Sequence, residues 1–413
     1  MSTKFLLKGG CVLTLGSRTA NFLEADVLID DDRIAEVGPG LRARDAEHVD
    51  AADTIVMPGF VDAHRHTWKA LFHNSEAASS EAHLEPDDVY AATLVGLLGA
   101  IEAGITTVVD WADHRFPEAA LEAHRDAGLR TVLAVPSGEP FSRSEPSPPR
   151  AAVIPPTGGE TLVAHGSDDA STWAQAREAG LRIHAHARSG GIVARWKEDG
   201  HLGPDVTLIH CSHASDADLD AAAATKTSLV LTPVSEMSQE SVTPPIQRII
   251  SRGLRPGLGV DSAETAPGDL FAQMRAVISL QHATVFDLKL AGKAGLPHLM
   301  TTREVIRYGT VDGARAIGLG SVTGSLEAGK QADLIMLRAD RPNIAPINDP
   351  IGAVVWGMDT SNVDWVFVSG RPLMRGGTLT ADQGRARDLA HRALDRIGNS
   401  TGALTTALSG EIS

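Results

Sequence analysis

The segment MPGFVDAHRH, at residues 57–66, is an apolar run that predicts a β-strand and ends in two histidines. His64 and His66 are two positions apart, and side chains alternate along a strand, so both imidazoles point the same way. Both can therefore reach one metal ion at the ~2.0–2.1 Å of a zinc–nitrogen bond. One such pair is weak support for a metal site, because a single buried histidine is usually a hydrogen-bonded core residue.

Three further segments repeat this arrangement at the ends of predicted strands. IHAH ends at His186, LIHCSH carries His210 and His213, and LGVD ends at Asp261. Buried imidazole and carboxylate groups are costly unless they are paired or bind a metal. Four strand ends that carry such groups favour a metal site over ordinary packing.

Residues 56 to about 320 alternate between predicted strands and helices. The eight predicted strands are 56–63, 105–111, 130–135, 161–165, 182–187, 206–211, 228–233 and 256–261. This alternation predicts an α/β fold, a (β/α)8 TIM-type barrel whose active site lies at the carboxyl ends of its strands. An open doubly wound sheet is the alternative, but it rarely needs eight strand–helix units.

Short predicted strands without helices lie on both sides of this region. Two flank Gly9-Gly10, at 5–7 and 11–15, and residues 25–29 and 33–37 form a predicted hairpin. Strands return at 334–337, 363–368 and 371–374, before a predicted amphipathic helix at 381–397. We therefore expect a small β-sandwich built from both chain ends. The predicted domains are residues 1–57, 58–320 and 321–413.

Composition narrows the classes of partner. The 413 residues carry a net charge of −15, which disfavours nucleic acid and anionic membranes as partners. The two cysteines, Cys11 and Cys211, exclude a disulfide framework and fit a reducing cytoplasm. The N-terminus lacks the pattern of a secretory signal peptide, and no apolar run approaches the ~20 residues of a membrane span. We expect a cytoplasmic homo-oligomer that acts on a small-molecule substrate.

The same segments resemble the amidohydrolase superfamily. The resemblance extends to GVDS at residues 259–262 and GSLEAGKQADLIML at residues 324–337, and it covers nearly the whole chain. APGDLFAQMRAV, at residues 266–277, is similar to the aminohydrolase branch, which includes cytosine and guanine deaminases and triazine hydrolases. The resemblance implies a hydrolase that uses a metal-activated water to hydrolyse a C–N bond of a nitrogen heterocycle.

The resemblance assigns roles to individual residues. It implies that His64, His66, His186 and Asp261 bind the metal, and that Asp261 also accepts the proton of the attacking water. It implies that His210 hydrogen-bonds the attacking hydroxide or polarises the substrate. Many relatives hold two ions through a carboxylated lysine on the fourth strand, but no lysine occurs between Lys69 and Lys197.

We therefore expect one divalent ion. Zinc suits three imidazoles and a carboxylate, and iron or manganese also fits.

One position departs from the deaminases of this branch, which carry a proton-shuttling glutamate three residues after the fifth-strand ligand. Ser189 occupies that position here. Glu236, just after the seventh strand, is a candidate for the missing acid, and a solvated loop carboxylate is the competing interpretation. Trp68 and Trp111 are candidates to stack a flat substrate ring, and His213 is a third substrate candidate. Each of these three is also compatible with ordinary packing or surface exposure.

These observations leave three hypotheses. The first is a hydrolase that releases ammonia or an amine from a nitrogen heterocycle. The second is hydrolysis of a cyclic amide, or hydrolytic displacement of another ring substituent, which the serine at position 189 keeps open. The third is a non-catalytic scaffold, which ranks last because such members lose metal ligands and all the expected ones remain here.

Overall fold

Two β-sheets and the helices between their strands make up a mixed α/β fold. The computed structural model describes residues 4–73, 83–113, 115–136, 162–166, 168–239, 242–264 and 266–401. The strands are β1 (Lys4–Val12), β2 (Phe22–Asp30), β3 (Arg33–Gly38), β4 (Glu47–Asp50), β5 (Thr54–Pro58), β6 (Phe60–Arg65), β7 (Ile105–Trp111), β8 (Arg130–Pro136), β9 (Leu162–Gly166), β10 (Ile183–His186), β11 (Val206–Ile209), β12 (Ser228–Leu231), β13 (Gly257–Leu258), β14 (Leu334–Arg338), β15 (Val363–Val368), β16 (Arg371–Arg375) and β17 (Thr378–Leu379).

The helices lie mostly between the strands of the second sheet. They are α1 (Pro86–Glu102), α2 (Pro117–Ala127), α3 (Trp173–Glu178), α4 (Ile192–Glu198), α5 (Asp216–Thr225), α6 (Pro233–Gln239), α7 (Ile246–Ile250), α8 (Leu270–Leu290), α9 (Thr302–Tyr308), α10 (Val311–Ala316), α11 (Pro350–Gly352) and α12 (Gln383–Thr401). Ser215 and Thr301 begin α5 and α9 with reciprocal side-chain caps, which satisfy backbone N–H groups that the first helical turn leaves unpaired. No helix in the described ranges is both long and apolar enough to cross a membrane.

Strands from both ends of the chain share the first sheet. Within the described residues it has nine strands in the order β17-β16-β15-β14-β5-β1-β2-β3, with β4 paired to β1. The junction between the two chain ends is the antiparallel pair β5–β14, which aligns Pro58 with Leu334. The predicted hairpin is confirmed as the antiparallel pair β2–β3.

The second sheet carries the predicted strand–helix units. Its eight strands in the described part of the chain follow the order β6 to β13, and every neighbouring pair is parallel. Beyond β13 the chain returns to the first strand. The Asp261 N–H donates to the His64 carbonyl at 2.9 Å, and the His66 N–H donates to the Asp261 carbonyl at 2.8 Å. Backbone hydrogen bonds therefore join β6 to the segment that follows β13.

Glycines account for two differences from the predicted strands. The predicted strand 56–63 is divided at Gly59 between the two sheets, and a Cβ there would lie 2.1 Å from the side chain of Thr106. Conversely, Gly9-Gly10 lies inside the continuous strand β1, where the register shifts and Gly9 has φ of 77°. The glycine pair therefore marks an irregular pairing within one strand, whereas the sequence pattern predicted two separate strands.

A buried ion pair ties the two sheets together. Arg130 on β8 and Asp333 beside β14 are each 2% exposed, and the guanidinium meets the carboxylate at 2.7 and 3.1 Å. The same guanidinium donates to Ser369 Oγ at 2.6 Å, and the Ser369 N–H donates to Asp333 at 2.8 Å. Such a network satisfies both charges, so the loss of one partner leaves the other buried and unpaired.

We predict that Asp333→Asn lowers the free energy of unfolding by about 3–5 kcal/mol, because it leaves the Arg130 guanidinium buried without its counter-charge. Chemical denaturation followed by circular dichroism measures this loss. Asp340→Asn is the matched control, since Asp340 pairs with Arg338 at the surface and solvent screens that pair. Equal unfolding midpoints for the two variants would contradict the prediction.

Candidate metal centre

The five predicted metal and base residues lie at the carboxyl ends of four strands of the second sheet. They are His64 at the end of β6, His66 just after it, His186 at the end of β10, His210 directly after β11 and Asp261 shortly after β13. Parallel strands bring these ends to one edge, so residues almost 200 positions apart in sequence become neighbours. The structure therefore brings together all five side chains.

Distances within the cluster fit a single ion. Two groups share His64, one with His186 and His210 and the other with His66 and Asp261, and the ligand atoms within each group lie within 4.8 Å of one another. Asp261 Oδ1 lies 3.3 Å from His64 Nε2 and 3.5 Å from His66 Nε2. Donors bound at ~2.0–2.1 Å to one tetrahedral ion lie ~3.4 Å apart, which matches these separations.

Burial keeps the histidines neutral. It lowers the pKa of His64 well below its ordinary value, lowers the pKa of His66 to about 4, and also lowers the pKa of His186. Burial by itself raises the pKa of Asp261, but the hydrogen bond with His64 holds that pKa well below its usual range. Near pH 7 the cluster therefore offers imidazole lone pairs and one carboxylate, the donor set that a divalent cation requires.

His186 Nε2 provides an independent sign of a ligand. This atom is buried and has no hydrogen-bond partner among the described residues. Buried polar atoms are nearly always satisfied, so an orphaned imidazole nitrogen within a cluster of donors indicates a missing partner. A metal ion is a partner that fits the chemistry of this nitrogen.

Two residues outside the predicted set contact the candidate ligands His186 and Asp261. Asp168 accepts the His186 backbone N–H at 2.6 Å, and its carboxylate lies 3.3 Å from His186 Nδ1. Ser235, in the first turn of α6, donates to Asp261 Oδ2 at 2.5 Å and leaves Oδ1 toward the histidines. Carboxylates and hydroxyls in such positions fix the orientation of metal ligands. Sequence reasoning missed both, because their only signal is proximity to a strand end.

Glu236 is buried rather than solvated. It lies in α6 and is 0% exposed, which excludes the interpretation as a solvated loop carboxylate. One carboxylate oxygen accepts the Thr232 N–H at 2.8 Å, and the other accepts the Ser212 hydroxyl at 2.7 Å. His210 Nδ1 lies 2.9 Å from Thr232 Oγ1 and 3.7 Å from the Glu236 carboxylate. Glu236 therefore faces the Nδ1 side of His210.

The predicted substrate residues separate into two groups. Trp111 is 7% exposed, and its ring centroid lies 4.2 Å from that of His186, so it borders the cluster. Trp68 is also buried, in a short 3-10 helix that follows His66. His213, in contrast, is exposed and is absent from both groups of clustered ligand atoms. Ser189 is likewise exposed.

A further buried histidine lies on β10 below the cluster. His184 lies two residues before His186 on β10, is 0% exposed, and has a pKa lowered to about 3 by burial and by the charge of Arg182. Neither of its ring nitrogens has a hydrogen-bond partner among the described residues. The HxH pattern places it on the same face of the strand as His186, one layer deeper in the fold.

Deaminases of adenosine analogues are similar to this chain over nearly its whole length. A 5'-deoxyadenosine deaminase of Methanosarcina mazei is 25% identical over 441 residues, which cover 95% of this chain and 98% of that protein. A 5-methylthioadenosine/S-adenosylhomocysteine deaminase of Syntrophobacter fumaroxidans is 28% identical over 424 residues, with 91% and 93% covered.

Solved structures share the fold over nearly their whole length. An adenosine deaminase from Xanthomonas campestris with bound zinc superposes with a TM-score of 0.81 at 18% identity, and the match covers 96% of this chain and 99% of that one. Atrazine chlorohydrolase from Arthrobacter aurescens, complexed with zinc, gives 0.79 at 20% identity, with 94% and 100% covered.

The family comparison is consistent with the fold and the site. Residues 55–373 match the Amidohydrolase family, a span that runs from β5 to β16 and includes every residue of the cluster. The resemblance drawn from the sequence motifs is thereby confirmed. This chain belongs to the Amidohydrolase family.

Proposed function

We propose that this protein is a metal-dependent aminohydrolase that hydrolyses an exocyclic C–N bond of a nitrogen heterocycle. The observation that carries the proposal is the pair of ligand groups that share His64, together with the two separations of Asp261 from His64 and His66, which match donors on one tetrahedral ion. An adenosine-like purine is the favoured substrate class, because the similar proteins named above are deaminases of adenosine analogues.

One divalent ion, with zinc as the favoured metal, would be held by His64, His66, His186 and Asp261. An ion at this position lowers the pKa of a bound water to ~7 and so makes it a nucleophile at neutral pH. The absence of any lysine between Lys69 and Lys197 supports a single ion, since no carboxylated lysine is available there to bridge two.

The side chains around the ion have separate tasks in this proposal. Asp261 accepts a proton from the attacking water through Oδ1, while the Ser235 hydroxyl holds Oδ2. His210 lies beside the same water, because its ring packs 5.3 Å from that of His186. Trp111, and Trp68 at the adjoining 3-10 helix, stack a flat heterocycle against the cluster. The exposed His213 contributes only if substrate reaches the mouth of the site.

A second candidate reaction rests on the exposed serine at position 189. Serine is a poor acid near pH 7, so it does not protonate a leaving amine as a glutamate would. Displacement of a ring substituent that departs with little protonation, or opening of a cyclic amide, needs no acid at that position. The atrazine chlorohydrolase shares the fold of this chain, so the fold is compatible with either reaction.

The architecture of the proposal follows the predicted domains. We propose that the eight-stranded sheet is a closed (β/α)8 barrel over residues 58–320. The hydrogen bonds between Asp261 and β6 support this closure. The nine-stranded sheet is taken as a β-sandwich of residues 1–57 and 321–413, since both ends contribute strands to it. A small-molecule substrate, a homo-oligomeric state and a cytoplasmic location complete the proposal. The two free cysteines support that location.

We predict about one divalent ion per chain in protein purified without chelator. The single set of ligands around His64 is the reason, and elemental analysis with a parallel protein assay measures the ratio. His186→Ala should reduce the bound metal, whereas His213→Ala, at an exposed histidine outside the cluster, should not. Two ions per chain, found consistently, would contradict the single-ion site.

We predict that Asp261→Asn lowers kcat by at least ~10²–10⁴-fold, the usual contribution of a general base, because an amide cannot accept the water's proton. Circular dichroism and metal analysis should show a folded protein. Asp287→Asn, at an exposed position of α8, is the matched control and should retain full activity. Near wild-type turnover in Asp261→Asn excludes this residue as the base.

We predict release of ammonia from 6-aminopurine nucleosides by the zinc-loaded protein, since the proposed water attacks the carbon that bears the amino group. A coupled ammonia assay on a panel that includes amino- and chloro-triazines measures this activity. Activity confined to chloro-substituted rings would favour the second candidate reaction. Inactivity on every member of the panel, with metal bound, counts against both.

A further inference from the structure

Glu236 and Thr232 form a chain of hydrogen-bonding groups that ends at His210. The Glu236 carboxylate accepts the Thr232 N–H at 2.8 Å and lies 3.3 Å from the Thr232 hydroxyl. That hydroxyl lies 2.9 Å from His210 Nδ1. All three side chains are at most 1% exposed, so water does not compete for these bonds.

The hydrogen bonds in this series have a fixed direction, because a carboxylate can only accept hydrogen bonds. The Thr232 hydroxyl therefore donates its single proton to Glu236, and its lone pairs remain for His210. Once the Thr232 hydroxyl has donated its proton, its oxygen can only accept a hydrogen bond from His210. Nδ1 of His210 must therefore carry the imidazole proton. In a neutral ring Nε2 is then unprotonated.

We propose that Glu236 is a positioning residue, which acts through Thr232 to hold neutral His210 in the tautomer with its proton on Nδ1 and with Nε2 as an acceptor at the metal cluster. This inference rests on the proposed function, and it chooses between the two roles that the family resemblance leaves to His210. An unprotonated Nε2 accepts a hydrogen bond from the attacking water. It cannot donate to the substrate until it has taken up a proton.

The same contacts argue against Glu236 as the acid that replaces the missing glutamate. Its two oxygens already accept from Thr232 and Ser212, and the residue is completely buried. A general acid must reach the leaving group within hydrogen-bond distance, directly or through one water. Glu236 instead lies 3.7 Å from His210 Nδ1. In the proposed tautomer this nitrogen donates its proton to Thr232, so Glu236 is on the side of the ring that faces away from the metal cluster.

The first test measures the tautomer directly and needs no substrate. Nitrogen-15 NMR of zinc-loaded protein labelled at histidine distinguishes a protonated from an unprotonated ring nitrogen, and His210→Asn identifies the signals. We expect His210 with Nδ1 protonated and Nε2 unprotonated. The opposite tautomer in the wild-type protein overturns the proposal, and it does so whether or not the protein is an aminohydrolase.

The second test removes only the Thr232 hydroxyl from this series of hydrogen bonds. Thr232→Val keeps the backbone N–H that Glu236 accepts, whereas Thr232→Ser keeps the hydroxyl as well. We expect Thr232→Val to lose the Nδ1-protonated tautomer and to lower kcat by at least ~10-fold with little change in KM, a loss equivalent to ~1.4 kcal/mol. Thr232→Ser should restore both, and an unchanged tautomer in Thr232→Val overturns the proposal. Thr232→Ala replaces the valine variant if that protein does not fold.

The third test separates positioning from proton donation. In Glu236→Gln the amide oxygen must still face the fixed Thr232 N–H, so the direction of the chain and the tautomer should persist. We expect a loss of kcat below the ~10²-fold lower limit for a general acid. A Glu236→Gln variant that keeps the tautomer and metal but loses more than this, while Thr232→Val stays active, identifies Glu236 as the acid and overturns the proposal.

Discussion

Two backbone hydrogen bonds between β6 and the segment at Asp261 hold the centre together. They join the end of β6 to the segment that follows β13, so that His64, His66 and Asp261 meet although they lie far apart in sequence. These hydrogen bonds form only if the two backbones approach each other closely. A Cβ at Gly259 would lie 2.6 Å from the His64 carbonyl oxygen, so only glycine fits there without movement of β6. The ligand geometry therefore depends on the packing of main chain against main chain.

Backbone strain accompanies this geometry. Among the described residues, His210, Cys211 and Asp261 adopt φ of 70°, 58° and 66°, a region that L-residues seldom occupy. Each such residue costs on the order of 1–3 kcal/mol, and the surrounding core must offset that cost. The strands turn at these residues and thereby direct His210 and Asp261 toward the cluster. Strain at the strand ends is thus part of how the site is oriented, and it falls on His210 and Asp261, two residues to which we assign chemistry.

The sequence predicts local features well and long-range contacts poorly. Strand β7 matches its predicted bounds, because an apolar run is a local signal. The last strand of the sheet was predicted as 256–261 but spans only Gly257–Leu258, since the chain beyond it turns toward β6. The HxH pattern singled out His64, His66 and His186 as candidate ligands, because residues two apart on a strand share a face. Asp168, Ser235 and Thr232 carry no such pattern, and only the folded structure brings them to the site.

The pairing of β5 with β14 has a consequence for synthesis of the chain. Ile55, Val56 and Met57 are buried in this pairing, but roughly 280 residues must be translated before their partner strand exists. At ~5–20 residues per second, the ribosome needs on the order of 14–56 s for that interval. During this time the nascent chain presents an apolar strand edge, the kind of surface that recruits other strands. Yield of native protein should therefore depend on the speed of elongation and on the supply of chaperones that cover this edge.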